Sequence, residues 1–259
     1  MRHSPHRGFA FALPARRSYL NIAKGRENVT IDWTTRKIGE APLLIAVPDR
    51  ADRPLPTVLW FHGLSVDKET HRKELERIAG AGFLAVGVDA AGHGERRLAD
   101  LDARIDESRE ETIRFMLGLV EETAREVPSI VCALAAEGLA DGDRVALVGI
   151  SMGGYLVYRA LMEEPAPRAA VAILGSPEWP DGDSPHRHLD AFRRVALLSI
   201  TAENDENVPP AAARELHRTL GEGERTRYVE LPGAVHLMGE PDWERTMDET
   251  LRWLALHNR

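Results

Sequence analysis

Three residue types that together can run a nucleophilic displacement occur here in the order serine, aspartate, histidine: Ser151, Asp205 and His236. The serine lies in VGISMGGY (residues 148–155), where Gly149, Ser151 and Gly153 spell G-x-S-x-G. A serine hydroxyl is a weak nucleophile until a base takes its proton during attack. An imidazole, with an ordinary pKa of about 6.5, can take that proton and return it to the leaving group. A carboxylate behind the imidazole fixes its tautomer and stabilises the imidazolium that forms. The motif alone is weak, because a glycine-rich turn between strand and helix also serves as a phosphate cradle or a packing device. Its weight depends on the elements that hold it.

Those elements read clearly. Ahead of Ser151, DGDRVALVGI gives a turn signal at Asp141-Gly142-Asp143 and then a short apolar run of the kind found in buried strands. Behind it, YLVYRALMEE has helix formers at helical spacing, ending near Glu164. The serine therefore sits at a tight strand-to-helix turn. NVTIDW and PLLIAVP read as an antiparallel pair joined through residues 36–40, followed by strands at PTVLWFHG, FLAVGVDA, AAVAILGS, VALLSIT and TRYVELPG. KETHRKELERIAGAG, residues 107–138, ARELHRTLG and WERTMDETLRWLALH read as helices, with Pro128 expected to kink or divide the second. The alternation predicts an α/β fold: a mostly parallel, twisted sheet of about eight strands with helices on both faces. Ligands bind such sheets beyond the carboxyl ends of the strands. His62-Gly63, Asp89, Gly92-His93-Gly94, Ser151, Asp205 and His236 each follow closely on a strand end, so all converge on one rim.

Composition narrows the partners. With 259 residues and 43% hydrophobic content, the chain can bury one large core. A formal net charge of −8 argues against nucleic acid or an anionic membrane as partner. No apolar run approaches the ~18 residues of a membrane span. The single cysteine, Cys132, rules out an internal disulfide framework and suits a reducing compartment, so a cytoplasmic location is expected. Cys132 itself, in SIVCALAA, reads as a buried helical thiol. The start, MRHSPHRGFAFALPARR, has a short apolar patch broken by Pro14 and reads as a surface arm over residues 1–27, ahead of one domain at 28–259.

The order Ser151, Asp205, His236 is that of the α/β-hydrolase triad. The segments FHGLS, DAAGHGER, GISMGG, TAENDENVP and PGAVHLM together resemble that superfamily. The similarity is greatest to single-domain bacterial carboxylesterases of the prolyl-oligopeptidase-like and dienelactone-hydrolase-like group. The resemblance implies an α/β-hydrolase fold, a nucleophilic Ser151, a general base His236 and an acid at Asp205. The family's acid-bearing strand usually ends in His-Gly, whereas this one ends in Thr201-Ala202, which leaves Glu203 as an alternative acid. The residue after the nucleophile, Met152, supplies one backbone N–H of the oxyanion hole, and the resemblance assigns the other to Leu64. Dienelactone hydrolases proper carry cysteine where Ser151 stands.

The remaining histidines read differently. His62 is expected to brace the oxyanion loop, and His93 to tie down its Gly-His-Gly turn or touch substrate. His186 and His188 belong to a surface loop, so neither a metal nor another cofactor is expected. A cap, where this fold has one, sits after the strand that follows the elbow helix. Here that insert, PEWPDGDSPHRHLDAFRR, is short and polar, so the cap is minimal. Trp179 is expected to roof a small pocket beside Leu64, Met152 and Leu237. The expected activity is hydrolysis of short-chain carboxylic esters of small molecules through an acyl-enzyme on Ser151. Peptidase or thioesterase action is the alternative, and a non-catalytic binding role is disfavoured by the complete triad. Oligomeric state is not legible.

Overall fold

The computed structural model describes residues 29–259 apart from 50, 106, 107 and 222; the expected arm at 1–27 lies outside the described residues. Eight strands form one sheet: β1 Ile31–Ile38, β2 Ala41–Pro48, β3 Leu55–Phe61, β4 Leu84–Val88, β5 Ala140–Ile150, β6 Ala169–Ile173, β7 Ala196–Ala202 and β8 Thr226–Leu231. Their spatial order is β1-β2-β4-β3-β5-β6-β7-β8. β2 pairs antiparallel with both neighbours and every other pairing is parallel, so β2 alone runs against the rest.

Alternation along each strand divides the core in two. Leu43, Ile45, Leu59, Phe61, Val86 and Leu147 face one way. Their chain neighbours Leu44, Ala46, Val58, Trp60, Ala85 and Val148 face the other. The first face is covered by α3 Arg109–Ala136 and α4 Met152–Ala160, together with α6 Ala211–Leu220. The second is covered by α1 Arg72–Gly80 and α7 Glu240–His257. Central strands buried on both faces need continuous apolar runs, which is why β3, β4 and β6 read as Val-, Leu- and Ala-rich without polar alternation. Two short helices, α2 Leu101–Ile105 and α5 Leu189–Arg193, lie in the connections.

Several local expectations are corrected. The β1–β2 connection is tighter than residues 36–40, because Lys37 and Ile38 still pair with Pro42 and Ala41 and only Gly39 and Glu40 turn. Asp141-Gly142-Asp143 is not a turn before β5 but an irregularity inside it, where the ladder jumps from Leu55↔Ala140 to Thr57↔Val145. Pro128 does not divide α3, which runs unbroken from Arg109 to Ala136. Proline removes one backbone donor, and the row Val120, Ala124, Val127, Ile130, Val131 and Leu134 buried against the sheet holds the helix across that gap. The elbow helix stops at Ala160, short of Glu164. Cys132 is exposed: it lies between buried Val131 and Leu134, but 100° per residue turns it onto the outer face of α3.

Candidate active site

The elbow is forced by contacts at its glycines. A Cβ on Gly149 would lie 2.2 Å from the Gly153 carbonyl oxygen, and one on Gly153 would lie 2.1 Å from that of Phe61. The helix can start this close to β3 and β5 only without side chains there. Between them Ser151 takes φ 56° and ψ −116°, a strained conformation for a residue with a Cβ. Its N–H donates to Ile173 O at 2.9 Å, which fixes the turn to the end of β6. The strain lifts the hydroxyl off the sheet edge, where it can meet groups from other strands.

It meets His236. Ser151 Oγ lies 3.0 Å from His236 Nε2, and His236 Nδ1 lies 2.7 Å from Asp205 Oδ2. With Nδ1–H donating to the carboxylate, Nε2 is free to accept the serine proton. Asp205 is buried, and its second oxygen accepts the N–H groups of Asn207 at 2.9 Å and Val208 at 2.8 Å. The carboxylate is thus held from both sides. Glu203, the alternative acid, is exposed and instead accepts the N–H of Gly233 at 2.7 Å. Arg109, at the start of α3, donates to Glu206 O at 2.8 Å and Asn207 O at 2.9 Å and braces the acid loop from outside. Nothing in the sequence pointed to Arg109, because its partners are 97 and 98 residues away.

Met152 opens α4, so its N–H has no carbonyl within the helix to bond and lies at the positive end of the helix dipole. Leu64 follows Gly63, whose Cβ position would come within 3.7 Å of Ser151 Cβ, so the β3 loop runs alongside the nucleophile. His62 braces that loop as expected: Nδ1 donates to Gly63 O at 2.7 Å and Nε2 accepts the Ala90 N–H at 3.0 Å. Burial lowers the His62 pKa to about 4, so the ring is neutral and keeps Nε2 as an acceptor.

Two of the expected substrate contacts are buried. His93 is wholly buried, with Nδ1 donating to Ala91 O at 2.9 Å, so it ties its turn. Trp179 is 8% exposed. It packs into the core on the α3 and α4 face and lines a cleft of about 400 Å³ with Leu117, Gly118 and Arg159. The insert is pinned: Trp179 N–H donates to buried Ser184 Oγ at 2.8 Å, and Arg114 pairs with Asp181 at 2.8 Å. Leu237 does lie at an open surface, 86% exposed beside His236, with Val235 48% exposed on its other side. His186 bonds Ser184 Oγ and His188 bonds Asp183, and no group of metal-ligating residues occurs among the described residues.

A family model described as alpha/beta hydrolase family matches residues 58–258. YitV of Bacillus subtilis (strain 168) is 31% identical over 251 residues, covering 83% of this chain and 94% of that protein. YjfP of Escherichia coli (strain K12) is 26% identical over 147 residues, 56% of this chain and 56% of YjfP, so the match spans about half of that relative. Both relatives carry the word esterase in their names. Among solved structures, a Klebsiella pneumoniae protein whose name includes dienelactone hydrolase superposes with a TM-score of 0.72 at 19% identity, over 87% of this chain and 99% of its own. At that identity the superposition speaks for the fold.

Proposed function

The chain belongs to the alpha/beta hydrolase family, and from that premise we propose that it is a serine ester hydrolase working through an acyl-enzyme on Ser151. The observation that carries the reading is the unbroken relay Ser151–His236–Asp205, at 3.0 and 2.7 Å. His236 takes the Ser151 proton as Oγ attacks the ester carbonyl, and Asp205 stabilises the imidazolium. The tetrahedral oxyanion points at the N–H groups of Met152 and Leu64. His236 then protonates the departing alcohol, and a water molecule activated by the same imidazole releases the acid. The names of YitV and YjfP favour an ester as substrate.

Short acyl chains suit this site. The insert at 177–194 is brief and pinned, so it offers no mobile apolar lid, and the apolar side chains flanking His236 in the chain, Val235 and Leu237, are exposed. Exposed side chains such as these can shield a few methylenes of the substrate. A longer chain runs on into water, and each exposed methylene forgoes ~0.8 kcal/mol. No helix among the described residues is long and apolar enough to cross a membrane. The experiment is a p-nitrophenyl ester series from acetate to laurate, with thioester and amide counterparts, on unlabelled protein, with a separate sample labelled by a fluorophosphonate. One label on Ser151 and kcat/KM that peaks between acetate and hexanoate are expected. Label recovered on Ser65 or Ser176, or faster turnover of amides than of esters, rejects the proposal.

A further inference from the structure

The proposed oxyanion donor at Leu64 sits on a stretch tied at its start to Ala90 and at its end to the neighbouring Asp89. At its start, His62 Nε2 accepts the N–H of Ala90. At its end, the wholly buried Asp89 takes the Lys68 N–H on Oδ1 at 2.9 Å and the Lys68 ammonium on Oδ2 at 2.8 Å. Lys68 is buried as well, and its ammonium also reaches Glu95 Oε1 at 2.6 Å. Asp89 is itself fixed: its N–H donates to Pro42 O at 3.0 Å, and Arg96 donates to its carbonyl oxygen at 2.8 Å. The chain closes over the carboxylate at Gly94, where φ is +56° and a Cβ would lie 2.1 Å from Asp89, while the Glu95 N–H donates to Oδ2 at 3.0 Å. Between the two ties, Ser65 is held at φ 68° without being glycine. A stretch this short, anchored at each end and strained between, has little freedom to let its N–H groups drift.

We infer that Asp89, with Lys68, is a positioning residue for catalysis: the buried pair sets where the Leu64 N–H points, while touching neither the nucleophile nor the base. This rests on the assignment of Ser151 and the oxyanion hole above. Two costs frame it. Burying a charged pair is expensive and often adds no stability over apolar packing, so stability alone is a poor reason for it here. Orientation, by contrast, is costly to lose: a 1 Å misplacement can lower turnover by about 10²-fold.

The test begins with wild-type protein and a fluorophosphonate; absence of label at Ser151 removes the underlying assignment before any variant is made. Asp89→Asn, Lys68→Met and their double variant are then titrated for active sites and assayed on p-nitrophenyl acetate. The expected result is kcat per titrated site down about 10–100-fold with KM changed less than about 3-fold. Affinity for an alkyl trifluoromethyl ketone, whose tetrahedral adduct on Ser151 places its oxygen in the hole, should fall in step with kcat. If these variants do not fold, His62→Gln and His62→Leu test the other anchor: glutamine restores an acceptor for Ala90 N–H and should recover most of the kcat and ketone affinity that leucine loses. Unchanged kcat and ketone affinity per titrated site in whichever pair folds overturns the inference and leaves the clamp a matter of stability alone.

Discussion

Asp205 divides its carboxylate between the loop that carries it and the imidazole it serves, and that division makes its role separable by mutation. In Asp205→Asn, the amide oxygen can still accept from Asn207 and Val208, so the loop keeps its shape. The amide N–H₂ then faces His236 Nδ1, which must give up its proton to accept, and the ring moves to the wrong tautomer. We expect kcat on p-nitrophenyl acetate to fall by about 10³–10⁴, with urea unfolding little changed. Glu203→Gln keeps an acceptor for Gly233 N–H and should cost less than about 3-fold. A worse Glu203 variant would show the acid to be misassigned. Ser151→Ala should cost about 10⁴–10⁶ with folding intact. The meeting of Ser151, His236 and Asp205 was legible because each is a chemistry-bearing residue placed just beyond a strand whose apolar run is plain. The burial of Trp179 and His93 was not legible, because sequence pattern does not tell which way a loop side chain turns. Arg109 and Lys68 were invisible for a related reason: their partners are close only in the folded chain.

Among the elements, the strand–elbow–helix unit has no room for a side chain at its glycines, whereas α3 has room at Gly118. Gly153→Ala would drive a methyl against the Phe61 carbonyl, and backbone that is part of a central strand cannot yield as a side chain can. A loss of more than about 3 kcal/mol, or failure to fold, is expected. Gly118 lies in the interior of α3, exposed, with open space where its Cβ would be. There the only cost of glycine is its unfolded-state freedom, so Gly118→Ala should stabilise by about 0.5–1 kcal/mol. Urea unfolding of both variants checks the contrast; equal effects would mean that the elbow is not held by backbone contact. The same elements show why boundaries were harder to read than identities. Apolar runs and helical spacing report which kind of element forms, and they reported that well for β3, β4, β5 and α7. They do not report whether a proline in a long helix is carried by tertiary packing, nor whether Asp-Gly-Asp ends a strand or bulges it.

At the scale of the whole molecule, burial on both faces of the sheet has carried histidines into the interior uncharged. His217, on α6, reaches Ser199 Oγ at 2.8 Å, and that hydroxyl also meets Tyr158 of α4 at 2.6 Å. Desolvation pushes the His217 pKa down to about 4, as it does for His62. In the unfolded chain both rings titrate at about 6.5. The folded pKa is therefore the lower one, and between those values the unfolded state binds more protons. The stability these rings contribute is present above about pH 6.5 and is lost as pH falls toward 4, after which they take away no more. A shift from 6.5 to about 4 corresponds to about 3 kcal/mol for each ring. That is a large share of the ~5–15 kcal/mol that holds a typical domain together. Carboxylates with lowered pKa, such as Glu121 beside Arg159 and Glu74, which accepts from Trp243, lose their contribution only below about pH 4.5. The window from 6.5 to 4.5 thus belongs to the histidines. His217→Gln replaces the ring by a side chain that stays neutral throughout and lies away from the Ser151–His236–Asp205 relay. It should leave ester turnover at pH 8 within about 2-fold and remove part of the stability loss across that window, which His62, His93 and His257 share. Urea unfolding at half-unit steps from pH 8 to 4 decides it. Parallel curves for wild type and variant would show that the buried imidazole does not drive the acid sensitivity of this fold.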